Sequence, residues 1–131
     1  MDDEYRDRNN DIQIVINGAT YELELLPDGW VDSFVSNLRK ELAETIGSYA
    51  EYFKVLQIKE KYGMLRFYWG WADKNYDNNE VNDLNRLTNE VEEIIRKYEK
   101  ISAKTCVVCG KSATKMTTGW IMPVCAEHEY L

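Results

Sequence analysis

The chain has 131 residues, 44% of them apolar, and a formal charge of −7. That is room for one domain with its own core, and the charge argues against broad binding to nucleic-acid phosphates. Residues 1–10 carry four acids and two arginines, which is not the composition of a secretory signal, and no run approaches the roughly 18 apolar residues of a membrane span.

Three cysteines, an odd number, argue against a disulfide framework and fit a reducing, cytoplasmic setting. The charge is unevenly spread. Residues 54–66 hold four cations, Lys54, Lys59, Lys61 and Arg66, against the single acid Glu60. A basic segment therefore sits inside an acidic protein.

Residues 1–10 read as a flexible acidic terminus, followed by an α+β domain over 11–101. In IQIVINGATYELEL, the dipeptide Asn17-Gly18 predicts a two-residue hairpin turn. It sets Ile16, Ile14 and Ile12 opposite Ala19, Tyr21 and Leu23 on one apolar face, with Gln13, Glu22 and Glu24 on the other. After Pro27-Asp28-Gly29, the residues Val31, Phe34, Val35, Leu38, Leu42, Ile46 and Tyr49 recur at helical spacing, and Gly47-Ser48 marks the end of that helix.

Residues 53–71 predict a second hairpin turning between Lys61 and Met64, with Leu56 and Ile58 on the inner face beside Leu65, Phe67 and Trp69. Lys59 and Arg66 then oppose each other on the outer face, with Tyr68 beside Gln57. Like charges in that position call for solvent or an acidic partner. A polar loop leads to a helix from about Glu80 to Ile101, whose stripe is Val81, Leu84, Leu87, Val91, Ile94, Ile95, Tyr98 and Ile101. Glu92–Arg96 and Glu93–Lys97 are spaced as pairs on its wet side. The expected order is ββαββα, an antiparallel sheet with both helices on one face.

Residues 102–131 predict a zinc module packed on that domain. Cys106-x2-Cys109 and Cys125-x2-His128 follow the spacing of two zinc elbows, with Gly110 placed for the positive φ of a knuckle. The competitors for the fourth position are Glu127 and Glu129. KSATKM and WIMPV form a short hairpin across Thr117-Thr118-Gly119, and Cys125 opens a final helical turn, an order that resembles a treble clef. Four protein ligands leave no open position, so one structural Zn²⁺ per chain is expected. A dithiol or plain buried thiols would not explain Cys125-x2-His128.

Asp28-Gly29-Trp30, the run QIKEKYGMLRFY at 57–68, and the terminal Cys-x2-Cys-Gly, Gly119-Trp120 and Cys125-x2-His128 together resemble a family of small uncharacterised bacterial and phage proteins. The resemblance spans roughly residues 28–128. It implies a bacterial or phage setting and a metal site, and it brings no catalytic residues.

No carboxylate pair, phosphate loop or free nucleophile with a spare histidine stands out, so the expected function is non-enzymatic. The first reading is a protein-interaction module that binds through Lys59, Arg66, Tyr68, Trp71 and Tyr76, with no membrane partner. One form of it is a phage inhibitor that occupies the basic groove of a host defence protein. The alternative is a nucleic-acid-binding zinc module using the basic hairpin 54–68.

Overall fold

The computed structural model describes residues 26–129. The predicted N-terminal hairpin and the acidic terminus lie outside the described residues. The described part is mixed α+β, with two helical segments and two small antiparallel sheets.

The first helical run joins α1 (Asp28–Trp30), a π-helical turn (Val31–Val35) and α2 (Ser36–Ile46). Gly47, at φ 54, stops it where the sequence predicts, because that backbone conformation suits a residue without a side chain. A 3-10 stretch (Gly47–Tyr52) then leads into β1 (Phe53–Lys61), which pairs with β2 (Met64–Trp71). The second long helix, α3 (Asn78–Ser102), starts on a capping box. The Asp77 carboxylate accepts from the Glu80 amide at 2.8 Å, and Glu80 accepts from the Asp77 amide at 2.9 Å. Two donors left over at the helix start are thereby satisfied.

One core collects Trp30, Phe34, Leu38, Leu42 and Ile46 from the first run, Phe53, Val55, Ile58, Leu65 and Phe67 from the hairpin, and Val91, Ile95 and Tyr98 from α3. The hairpin register pairs Lys59 with Arg66 and Gln57 with Tyr68, as expected. Leu56 departs from expectation. A bulge between Val55 and Gln57 reverses the alternation, so Val55 is buried and Leu56 is 64% exposed. An extra residue in one strand turns its own side chain to the opposite face.

The α3 stripe is buried at Leu84, Leu87, Val91, Ile95 and Tyr98, while Val81 and Ile101 at its two ends are exposed. Of the predicted pairs on the wet side, Glu92 and Lys97 bond to other elements. Lys97 bonds Glu41 of α2, which also accepts from the Tyr98 hydroxyl, and Glu92 accepts from Trp69 Nε1 at 2.9 Å. Contacts between helices and to the hairpin thus replace contacts within one helix.

β3 (Lys115–Met116) and β4 (Pro123–Val124) pair in the second sheet, and a 3-10 turn (Ala126–His128) follows Cys125. No helix among the described residues is long and apolar enough to cross a membrane.

Candidate metal centre

The segment after α3 is held by backbone bonds at each step. Ala113 N donates to Lys104 O at 2.8 Å, Cys106 N to Lys111 O at 2.8 Å, and Gly110 N to Cys106 O at 3.0 Å. The last two close a knuckle that aims Cys106 and Cys109 in one direction. Gly110 takes φ 82, as the spacing predicts. Val107 N donates to Pro123 O at 3.0 Å and Thr114 N to Val124 O at 2.8 Å. These two bonds bring the second elbow against the first. His128 N donates to Cys125 O at 3.0 Å, and this turn sets the imidazole beside the sulfur of Cys125.

The sulfurs of Cys106, Cys109 and Cys125 and a nitrogen of His128 lie within 4.8 Å of one another. Cys109 Sγ is 3.7 Å from Cys125 Sγ, His128 Nδ1 is 3.7 Å from Cys106 Sγ, and it is 3.2 Å from Cys125 Sγ. A tetrahedron with metal–sulfur bonds of about 2.3 Å has sulfur–sulfur edges of about 3.8 Å and sulfur–nitrogen edges of about 3.5 Å. These three separations lie within about 0.3 Å of such edges, and the group could hold one metal ion. All three cysteines are free, and 3.7 Å is well beyond a disulfide bond. The competing carboxylates are drawn to lysines, Glu127 to Lys111 at 3.7 Å and Glu129 to Lys115 at 4.0 Å. That leaves His128 as the fourth donor.

Burial pushes the Cys106 thiol up, but the amides of Cys109, Cys125 and Val108 point at its sulfur and bring it down to about 6. At Cys109 the Lys111 amide lowers the thiol, and burial with the Cys125 and Cys106 sulfurs outweighs it, for a net rise. Three thiols crowded together resist losing all their protons unless a cation stands among them.

The Asp28-Gly29-Trp30 motif has its physical reason here. Gly29 N donates to Val107 O at 2.9 Å, and a Cβ at Gly29 would stand 2.2 Å from Cys106 O and 2.7 Å from Gly110 N. Trp30, fully buried, donates from Nε1 to Thr105 O at 3.0 Å. The start of the first helix is pressed onto the knuckle, backbone to backbone.

The five residues expected at a partner contact fall into two groups. Lys59 Nζ stands 5.9 Å from the centre of the exposed Tyr68 ring, and half-buried Arg66 lies opposite Lys59. Arg66 Nε is buried without a hydrogen-bond partner. Burial pushes the Glu99 carboxyl up, and Arg66 works against that rise, so the guanidinium lies toward α3.

The other two rings are tied inward. Trp71 donates from Nε1 to Thr88 Oγ1 at 2.9 Å and packs edge-on against Phe53 and Trp69. The Tyr76 hydroxyl donates to Ala72 O at 2.6 Å, and its ring meets Tyr52, with Lys74 Nζ near both rings. Among the described residues the most exposed aromatics are Tyr62 and Trp120, to which the sequence reading gave no contact role. Their only sequence signal is position, one in a two-residue turn and the other beside Gly119.

Comparison with family models, with curated proteins and with solved structures returns no match.

Proposed function

We propose that the chain is a non-enzymatic recognition module, braced by one structural zinc ion, that binds a protein partner through the outer face of the β1–β2 hairpin. Three thiolates and one imidazole at tetrahedral spacing form a donor set that suits Zn²⁺. With Cys106, Cys109, Cys125 and His128 as ligands the shell is full, so the ion braces the fold and has no position for substrate. The knuckle, short hairpin and helical stub follow treble-clef order. The finer fold reading is ββαββα, with the hairpin at 12–24 supplying the first two strands.

The observation that carries the partner reading is Leu56. The bulge turns this aliphatic side chain to solvent on the strand that carries Lys59, one residue from Gln57, the register partner of Tyr68. A bulge that spends a leucine on the surface beside an exposed tyrosine and Lys59 builds an apolar centre with a charged edge, the composition of a contact hot spot. Trp71 and Tyr76 support the hairpin from the inside.

The test is photo-crosslinking in a bacterial cytoplasm, with the reactive side chain placed at Leu56 or Tyr68 and, as controls, at Asn85 or Glu93 on the exposed side of α3. A discrete adduct with one protein from the hairpin positions, absent from the helix positions and abolished by Lys59→Glu, is expected. Equal labelling from all four positions refutes the surface.

A further inference from the structure

At the far end of the same hairpin is a cleft with a different character. It is lined by Glu60, Lys61, Tyr62, Gly119, Trp120 and Ile121 and has a volume of about 330 Å³. Its aromatic rings are the two most exposed among the described residues, Tyr62 at 69% and Trp120 at 75%. Each is presented by a defined backbone turn.

Tyr62 and Gly63 form the two-residue turn with φ 54 and 81, and Tyr62 is the one non-glycine residue with positive φ among the described residues. Glycine, asparagine or aspartate suits the first position of such a turn, and a bulky ring there is disfavoured. Tyr62 contributes little packing to offset that. Strain retained at an exposed aromatic residue points to use of the ring outside the fold.

Trp120 is presented by a closed loop. Thr117 N donates to Met122 O at 2.9 Å, Met122 N donates to Thr117 Oγ1 at 2.9 Å, and the Thr117 hydroxyl donates to Trp120 O. The two walls are pressed together at their base. A Cβ at Gly63 would stand 2.7 Å from Met116 Cε and 3.2 Å from both Ile121 O and Pro123 Cδ. The backbones that carry the two rings are therefore seated against each other before anything binds.

The surroundings are basic although the chain is not. Lys61 Nζ lies 5.7 Å from the centre of the Tyr62 ring, and Lys59 and Arg66 follow along the strands. The one acid in the lining, Glu60, accepts from Gly63 N at 2.8 Å and is thereby turned into the hairpin.

We infer that this cleft binds single-stranded nucleic acid, with a base held between Tyr62 and Trp120 and a neighbouring phosphate met by Lys61. Exposed rings stack on any base because every base has a π-face, and a lysine at the rim supplies the charge that the backbone requires. A volume near the lower end of the roughly 300–1,000 Å³ range of small-molecule sites suits one nucleoside rather than a folded partner. A duplex hides its base faces, and the acidic remainder of the protein repels its paired strands. The site stands apart from the Leu56 and Tyr68 surface and does not depend on the protein partner proposed there.

The test uses the full-length, metal-loaded protein and a fluorescein-labelled thymidine oligomer of about twelve nucleotides, followed by anisotropy and by quenching of tryptophan emission. Saturable binding at low salt is expected, with log K falling against log salt no more steeply than about −2, since few phosphates are contacted. Trp120→Ala and Tyr62→Gly should each weaken binding about tenfold or more, the scale of one lost base stack. Tyr62→Gly also relieves the backbone strain, so its melting temperature should hold or rise, which separates lost binding from lost folding.

A flat wild-type titration overturns the inference, as do variants that bind like the wild type or a duplex that competes as well as the single strand. Saturable binding of an acidic glutamate–tyrosine copolymer with no response to the oligomer makes the cleft a protein contact and also overturns it.

Discussion

The contact between Gly29 and the metal knuckle gives the sharpest test of how the fold is held. In Gly29→Ala the added carbon would stand 2.2 Å from Cys106 O, 2.7 Å from Gly110 N and 2.8 Å from the carbonyl carbon of Val107. All three are backbone atoms, so no side-chain rotation can make room. Either the helix start lifts off the knuckle or the knuckle opens. Overpacking of this kind costs about 1–3 kcal/mol, and losing the Gly29–Val107 hydrogen bond adds about 1 kcal/mol. A loss of about 3 kcal/mol lowers the melting temperature of a chain this size by about 10 °C. The clash falls on the knuckle itself, so metal retention should fall with it. The control is Gly70→Ala, where the new carbon meets nothing within 4 Å and the backbone is unstrained. The assay is thermal unfolding beside elemental analysis of the dialysed protein. A Gly29→Ala protein that melts within two degrees or so of wild type with its metal intact refutes the reasoning.

Purified protein should carry one zinc per chain, and Cys106→Ser or Cys125→Ser should release it. Both residues belong to the core that contains Trp30, so urea unfolding should shift for the whole domain rather than for the last 28 residues alone. Trp71→Ala should cost about 3 kcal/mol in the urea titration, because the ring packs on Phe53 and Trp69 and its Nε1 is bonded to Thr88. Stability should also fall at both pH extremes. Hydrogen bonds from Lys97 and Tyr98 hold the Glu41 carboxyl low, so that contribution is present above the ordinary carboxylate range and is lost below it. At the alkaline end, burial and Glu41 push the Tyr98 hydroxyl up, and the bond to Asp83 pushes Tyr49 up to about 12. Both stay protonated in the folded state where the unfolded chain ionises, so stability declines as pH rises above about 10. Tyr98→Phe should flatten that alkaline slope.

The Cys/His cluster was legible because a tetrahedral shell fixes donor type and spacing along a short segment, and Cys106-x2-Cys109 with Cys125-x2-His128 displays both. The Lys59–Arg66 register was legible because alternation from a two-residue turn counts outward reliably. The same counting failed at Leu56, since nothing local in Val55-Leu56-Gln57 announces a bulge. Its cause lies in packing. Phe53, Val55 and Ile58 all reach the core, which is impossible for a strand of strict alternation. Lys97 and Glu92 were misassigned for a related reason: helical spacing names the neighbours on one helix, whereas Glu41 and Trp69 arrive from other elements. The role of Gly29 was hidden because its contact with Gly110 spans most of the chain and involves no side chain.

The same long-range contact explains why the proposed metal would serve where more apolar packing would not. The segment after α3 has two strands of two residues each and an isolated bridge between Thr105 and Ser112, too few backbone bonds to hold its own shape. Yet that segment must offer Thr105 O to the buried Trp30 indole and Val107 O to Gly29, and either acceptor out of place leaves a buried polar group unsatisfied. Side chains large enough to fill the space would collide with Gly29, which already touches backbone. An ion drawing four side chains to one point would rigidify the knuckle without occupying that contact surface. Its binding free energy would then become folding free energy for the helix start as well as for the module. The cleft benefits from the same constraint, because Met116, Ile121 and Pro123, which seat Gly63, are all carried on the segment between the two elbows.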